Sequence, residues 1–342
     1  MKKLLITFIY KFIELLPPRL AEKIKIIGCV IFGDWHFIMP RHANILLKEF
    51  PNCSSEKVRE VYKDLADEEV GTILRYLQKI EEFSHFPYPE KGLLFNYRNI
   101  MGEEYREYIR MQKIMRSEVK KFALKLPGHE LLNEEVLYFH HGLRDVSDGI
   151  KEYIKGKTFI DAGAFVGDSA LIFQEYYCPG KICSFEPSEI NRKHYVSFMK
   201  KNHIPDSSYM LYPYGLGARD EVVSFYDSGT CGCSLKNTKE SKNSTITVKT
   251  LDHLFFDTEE KIGIIKADVE GMGLELVKGA EKIIKRDLPV LSLSIYHSEE
   301  ELLGVYSYLK ALKLDYEYHV LSLTLSYTTM ELTLLAFPKN KE

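Results

Sequence analysis

The chain has 342 residues, 45% of them hydrophobic and 28% charged. That is a globular composition with enough apolar material for one large domain and a smaller one, and it excludes a disordered chain. Lys and Arg number 46 and Asp and Glu 49, a formal net charge of −3, which argues against a nucleic-acid binder working through a broad basic surface.

The first 16 residues open on Met-Lys-Lys and continue apolar, with Leu5, Phe8, Ile9, Phe12 and Leu16 at helical spacing and Lys2, Lys3 and Lys11 beside them. The run is too short to span a bilayer and no small-residue cleavage site follows it. The pattern fits a helix in a membrane interface, a peripheral contact, and fits equally a helix packed on the protein's own core. The expected location is the cytoplasm, with membrane association through residues 1–16 left open. The six cysteines agree with that compartment. Their spacing is not that of a disulfide scaffold, and Cys231-Gly-Cys233 is one residue short of the usual zinc pair, so no metal is expected.

Ser54-Ser55-Glu56 opens a helix running to about Leu65, and Asp67-Glu68-Glu69 begins another with Val70, Ile73, Leu74 and Leu77 on one face. Phe86-Pro87-Tyr88-Pro89 breaks it. Residues 103–125 are helical in pattern, and Pro127-Gly128 marks a boundary. The chain therefore divides into a mostly helical region, residues 1–130, and a second domain, residues 131–342.

From residue 155 onward strands alternate with helices. Strands are expected at 158–160, 181–185, 209–212, 262–267, 290–295, 316–320 and 331–337, and helices at 170–177, 188–201, 274–285 and 299–312. Val222 to Tyr226 and Thr245 to Val248 flank a Gly-, Ser- and Cys-containing connection, which predicts a hairpin or an excursion. The alternation predicts an α/β fold with a doubly wound, mainly parallel sheet.

Three segments carry chemistry. Asp161-Ala162-Gly163-Ala164-Phe165-Val166-Gly167-Asp168 follows the first strand and precedes a helix. In a doubly wound fold the chain turns there beside a ligand, glycines allow close backbone approach, and the helix opens with free N–H groups. A dinucleotide fingerprint would show G-x-G-x-x-G. Glycine here stands only at 163 and 167, with an acid at 161, which suits a cofactor bearing a cationic amino group better than a pyrophosphate. A plain tight turn is the alternative. Phe185-Glu186-Pro187 ends the second strand, where such folds hold ribose hydroxyls with a carboxylate and where Pro187 sets the entry to the next helix. Lys266-Ala267-Asp268-Val269-Glu270-Gly271 places two acids at the tip of a central strand. Lys266 reads as well as an ion-pairing structural residue as a functional one. His297 follows a strand, and its ordinary pKa near 6.5 suits a base. His140 and His141 either close the pocket or pack a junction, and Cys231-Gly-Cys233-Ser234 is a loop near the ligand or a surface turn.

In this order the segments resemble the FkbM family of S-adenosylmethionine-dependent methyltransferases. Thr250-Leu-Asp252, Leu276-Val-Lys-Gly-Ala280 and Pro289 extend the likeness, as do Tyr138–Leu143, Ser294–Ser298 and Glu331–Ala336, so that it covers about residues 135 to 337. The resemblance implies a class I, Rossmann-like methyltransferase sheet of seven strands, the last antiparallel. It implies S-adenosylmethionine held by Asp161, Gly163, Ala164, Phe165, Gly167, Asp168, Glu186, Pro187 and Asp268, with Asp161 and Gly163 at the methionine end, Glu186 on the ribose and Asp268 near the methyl. The reaction implied is O-methylation of a sugar, glycan or related small-molecule intermediate. Asp268, Glu270 and His297 are the candidate catalytic residues for removing the acceptor's proton. The chain departs from the family at Gly273, where an acid is common, at Ala267, where a larger aliphatic residue is usual, and in lacking a basic residue near Tyr318-His319. Two other readings compete: a catalytically silent S-adenosylmethionine-binding module, and a nicotinamide-dependent oxidoreductase, against which the missing third glycine argues. The helical first 130 residues are expected to recognise the acceptor.

Overall fold

The computed structural model describes residue 16 and residues 35–38, 48–85, 93–96, 104–123, 134–227, 242–324, 331–339 and 341. The amphipathic segment 1–16, save its last residue, lies outside the described residues, as do Phe86–Pro89, Pro127-Gly128 and Cys231-Gly-Cys233-Ser234.

The described N-terminal part holds helices α1 (Ser55–Val61), α2 (Asp67–His85) and α3 (Glu104–Ala123). Ser54 starts α1 by accepting the Lys57 N–H on its side chain, the usual means of satisfying an orphan donor. Strands β1 (Trp35–Ile38) and β2 (Leu93–Asn96) pair antiparallel. That pairing was not foreseen from the helical reading of residues 1–130, since two four-residue runs leave little periodicity to detect.

After α4 (Glu134–Tyr138), a tight turn at His140–Gly142 and α5 (Asp148–Ile154), the alternating region begins. Its strands are β3 (Thr158–Ala162), β4 (Lys181–Phe185), β5 (Tyr209–Tyr212), β6 (Tyr214–Leu216), β7 (Glu221–Asp227), β8 (Lys242–Lys249), β9 (Ile262–Ala267), β10 (Val290–Ser294), β11 (Tyr316–Ser322) and β12 (Leu332–Pro338). Seven of them form one sheet in the order β11-β12-β10-β9-β3-β4-β5, and β12 runs antiparallel between β10 and β11 while the rest are parallel. This is the doubly wound sheet with a reversed last strand that the alternation and the resemblance implied. The central strands β3, β9 and β10 are buried along their whole length, as strands covered on both faces must be. The excursion is a separate three-stranded sheet, β6-β8-β7.

Helices α6 (Asp168–Tyr176) and α7 (Glu189–Lys201) cover one face with α5, packing on Phe159, Ile182, Ile264 and Leu335. The other face carries α8 (Leu251–Phe255), α9 (Gly273–Lys278), α10 (Glu281–Asp287) and α11 (Val305–Ala311). Val58, Tyr62, Ile73 and Ile80 from α1 and α2 join that same apolar cluster with Leu293, Tyr318 and Val320.

The helix expected over 274–285 is two, α9 and α10. At Gly279 the backbone passes so close to Gly217 that a Cβ would stand 2.0 Å from the Gly217 carbonyl oxygen. The chain restarts as a helix because the Asp252 carboxylate accepts the Lys282 and Ile283 N–H groups, at 3.0 and 2.9 Å. Asp252 thus caps α10 from a different element, which local sequence cannot reveal. The expected helix over 299–312 begins with a π turn, Glu300–Gly304, ahead of α11. Such turns are rare and often mark functional positions.

Candidate active site

The site lies at the carboxyl ends of β3, β4, β9 and β10, where open α/β sheets bind ligands. Strand β3 ends in a bend at Gly163 (φ 72°). A Cβ there would sit 1.8 Å from the Asp268 carbonyl oxygen, so only glycine lets the bend touch the tip of β9. The Gly163 and Ala164 N–H groups donate to the Phe185 carbonyl at 3.0 and 3.1 Å, tying the bend to β4 as well. Gly167 (φ 90°) opens α6, and a Cβ on it would meet the Met199 and Tyr195 side chains at 2.6 and 2.9 Å.

Glu186 is 5% exposed. One carboxylate oxygen accepts the Phe165 N–H at 2.9 Å, and the other accepts the Ser188 N–H at 2.8 Å and the Asn191 amide at 3.4 Å. Phe165 itself stands at φ 43°, a left-handed conformation uncommon for a bulky side chain. Burial pushes the Glu186 carboxyl up to about 7, against the pull of those donors. Arg192 donates to the Glu186 and Pro187 carbonyls at 2.8 and 2.6 Å and fixes the strand end.

Asp161 is fully buried beneath the bend. It accepts from Ser169 at 2.7 Å and Ser184 at 3.5 Å, and pairs with Lys266 at 3.4 Å. Lys266 also donates to the Gly163 carbonyl at 3.0 Å. The register explains the cluster: Ser184, Asp161, Lys266 and Ser292 face each other on successive strands and share one face of the sheet. Asp161 therefore holds the bend through Lys266 from below. Asp168 heads α6, its carboxyl pushed up to about 6 by burial, and lies 3.9 Å from His141 Nε2.

The acids after β9 gather around His297. Its Nε2 lies 3.4 Å from Asp268 and 3.9 Å from Glu270, and its Nδ1 is 2.9 Å from the Glu301 carboxylate. Glu301 is fully buried and also accepts the Gly273 N–H at 2.8 Å. Burial alone would depress the imidazole. Glu301, Asp268 and Glu270 outweigh it and hold His297 up at about 10. His297 is accordingly an imidazolium at neutral pH, which reverses the neutral base expected for it from its ordinary pKa. Glu270 stands at φ 52°. Its side chain keeps 35% of its exposure, yet the cleft strips bulk hydration from it. That desolvation, opposed by His297 and aided by Asp268 and Glu301, pushes the carboxyl up to about 7.

Sequence reasoning passed over Glu301 and Glu331. Glu301 could have been suspected from its place four residues after His297. Glu331 (φ 65°) lines a small polar hollow with His141, Lys266, Asp268, Ser294 and Thr333, and burial, then the Asp268 charge, drives its carboxyl well up. His141 (φ 54°) faces this hollow, while His140 stacks on Tyr176 and bonds Tyr177.

The carboxyls of Glu186, Glu270 and Asp168 share a sign. Each is raised in the fold, so the native state binds more protons than the unfolded chain between about pH 4 and 7, and stability falls as pH rises through that window. His297, raised to about 10, adds stability that is full below its ordinary pKa of 6.5 and lost as pH climbs through 10. These four groups should together make the ligand-free protein melt higher at pH 5 than at pH 8, a difference reduced by His140 and His141, whose imidazoles burial holds below the ordinary value and which therefore cost stability below about pH 6.5. Glu186→Gln should remove on the order of 2 kcal/mol of that difference, and equal slopes for the two proteins in thermal melts would contradict the assignment.

The crystal structure of methyltransferase FkbM from Methylobacillus flagellatus KT is similar to this fold, with 20% identity over 82% of this chain and 58% of that one, at a TM-score of 0.53. The chain thus spans less than two thirds of that protein's length. An O-methyltransferase from Bacillus cereus solved with SAH gives 13% identity over 66% of this chain and 90% of that one, at a TM-score of 0.39. Aeropyrum pernix fibrillarin, with natively bound S-adenosyl-L-methionine, gives 13% identity over 58% and 73%, at 0.37. No curated protein sequence matches the chain at a significant level. The methyltransferase FkbM domain family matches residues 161–318, a span that runs from the buried acid of the glycine bend into β11.

Proposed function

We propose that the protein is an S-adenosylmethionine-dependent O-methyltransferase whose acceptor is a hydroxyl of a small molecule, sugar or glycan-related intermediate. The observation that carries this reading is the junction of the glycine bend with Glu186, where the carboxylate grips the Phe165 N–H at 2.9 Å. The donor set suits the cofactor. A buried carboxylate with lone pairs to spare accepts ribose hydroxyls, and two bends without side chains, at Gly163 and Gly167, leave room for close approach. Asp161 has an indirect part, shaping the bend through Lys266. Ala164, Phe165, Pro187 and Asp168 complete the wall.

Bound there, the cofactor supplies a sulfonium-activated methyl group. Glu186 would hold the nucleoside end, and Asp268 would border the transferred methyl. Glu270, poised near neutrality and partly open to the cleft, takes the proton of the acceptor hydroxyl. Asp268 orients that hydroxyl. His297 stays protonated and, through Nε2, sets both carboxylates. Positioning accounts for much of the rate in such a displacement. Residues 131–342 act as the catalytic unit, and residues 1–130 take part in recognising the acceptor.

The test is transfer of a labelled methyl group to a panel of free sugars, glycosides and other polyols. Wild type should label at least one hydroxyl acceptor. Glu270→Gln should cut kcat by about 10²- to 10⁴-fold with cofactor affinity unchanged. Cofactor binding with no transfer to any acceptor would favour the silent-module reading. No helix among the described residues is long and apolar enough to cross a membrane. A peripheral contact through residues 1–16 belongs to the same proposal, and full-length protein that fails to sediment with anionic liposomes would remove it.

A further inference from the structure

The turn that carries His297 is fastened from outside the family-matched region. Strand β10 stops pairing at Ile295, whose N–H donates to the Leu332 carbonyl at 2.9 Å. The next carbonyl, that of Tyr296, is buried and beyond the reach of the ladder. A buried carbonyl needs a donor, and it receives the Tyr76 hydroxyl of α2 at 2.8 Å. Two further ties follow within six residues. Glu299 accepts the Asn52 N–H at 2.9 Å and pairs with Lys57 at 3.1 Å, and the Tyr62 hydroxyl donates to the Leu302 carbonyl inside the π turn. Between these ties sit the groups of the site. The Tyr296 hydroxyl lies 3.5 Å from both Asp268 carboxylate oxygens, its ring centre is 4.0 Å from that of His297, and Glu301 holds His297 Nδ1.

We propose that Tyr76 is a positioning residue for methyl transfer: its hydroxyl fixes the Tyr296 carbonyl and thereby sets the Tyr296 hydroxyl and the His297 imidazole against Asp268. The proposal rests on the methyltransferase reading only in taking Asp268 and His297 to border the acceptor. Tyr76 is 5% exposed and Tyr296 7%, so loss of the hydroxyl leaves a buried carbonyl unpaired while the ring still fills its space. The turn then relaxes toward water. His297 moves away from the carboxylates that surround it, Glu301, Asp268, Glu270 and Glu331, which are the source of its high proton affinity.

The experiment follows His297 directly in the full-length chain, by NMR titration of ring-labelled histidines, with the signal assigned from His297→Gln. Tyr76→Phe should lower the His297 pKa by about one unit or more, a tenfold loss of proton affinity. Tyr62→Phe should lower it less, because Leu302 lies beyond His297 in the turn. Tyr306→Phe is the control. Tyr306 stacks on Tyr62 at 4.7 Å in the same interface, but its buried hydroxyl makes no hydrogen bond, so the His297 titration should not move. A residue that only stabilises the core would lower Tm and leave the titration in place. An unmoved His297 in Tyr76→Phe overturns the proposal whatever Tyr62→Phe shows, and if Tyr76→Phe fails to fold, Tyr76→Leu, which also removes the hydroxyl, is titrated in its place. S-adenosylmethionine affinity, measured on the same samples, should be unchanged between wild type and Tyr76→Phe. Failure of wild type to bind it would sink the methyltransferase reading, while the titration would still decide the role of Tyr76.

Discussion

Glu186→Ala should leave the protein folded and unable to bind S-adenosylmethionine at concentrations where wild type saturates. The carboxylate does two things at once. It anchors the glycine bend through the Phe165 N–H, and in the proposed complex it accepts the ribose hydroxyls. A hydrogen bond to a charged group contributes about 1.5–3 kcal/mol, so loss of two amounts to roughly a hundredfold weakening or more, before the loosened bend is counted. Glu186→Gln keeps one carbonyl acceptor and should fall between. The carboxyl is raised to about 7, so affinity in wild type should weaken as pH drops below 7, while Glu186→Gln should show a flatter profile. Isothermal titration across pH 5.5 to 8.5 reads both effects, and full affinity in Glu186→Ala would remove the ribose assignment.

The second large effect is expected at Gly163. In Gly163→Ala the new methyl group would overlap the Asp268 carbonyl oxygen at 1.8 Å. Neither partner is a side chain that can swing aside. The bend and the tip of β9 must separate, which breaks the contact that forms the pocket floor. Overpacking of this kind costs about 1–3 kcal/mol, and a left-handed backbone at φ 72° adds about 1–2 kcal/mol for a residue with a Cβ. A fall in Tm of roughly 5–10 °C with loss of cofactor binding is the expected outcome. Gly156→Ala separates the two causes. Gly156 has φ 73° and nothing within 4 Å of its Cβ position, so it should show the backbone cost alone and bind cofactor normally. If the two alanine variants behave alike, the close approach of Gly163 to β9 is not what shapes the pocket.

Much of this site was legible in the chain before folding was considered. The bend from Asp161 to Asp168, the strand-tip Glu186 and the acids at 268 and 270 are short segments whose meaning comes from local rules: a glycine where the backbone must turn, and an acid where a strand ends. The positions of the strands along the chain followed for the same reason, since each is a run of apolar residues bounded by its own turn. What could not be read locally depends on groups brought together from far apart. The ordinary pKa of histidine pointed to a base at His297, but the Glu301 carboxylate at 2.9 Å and the acids at 268 and 270 make it a cation. Asp161 stands in the glycine-bend motif, but that it pairs with Lys266 is set by the strand register. Gly279 and Asp252 split a helix that periodicity alone left whole. Tyr76 reaches across 220 positions to Tyr296, a contact with no signature in either segment. Local sequence determined which residues could form a bend, a strand tip or a helix. The packing of the sheet decided which charges would face one another and therefore which protons they hold, because electrostatic energy depends on distances that only the folded chain sets.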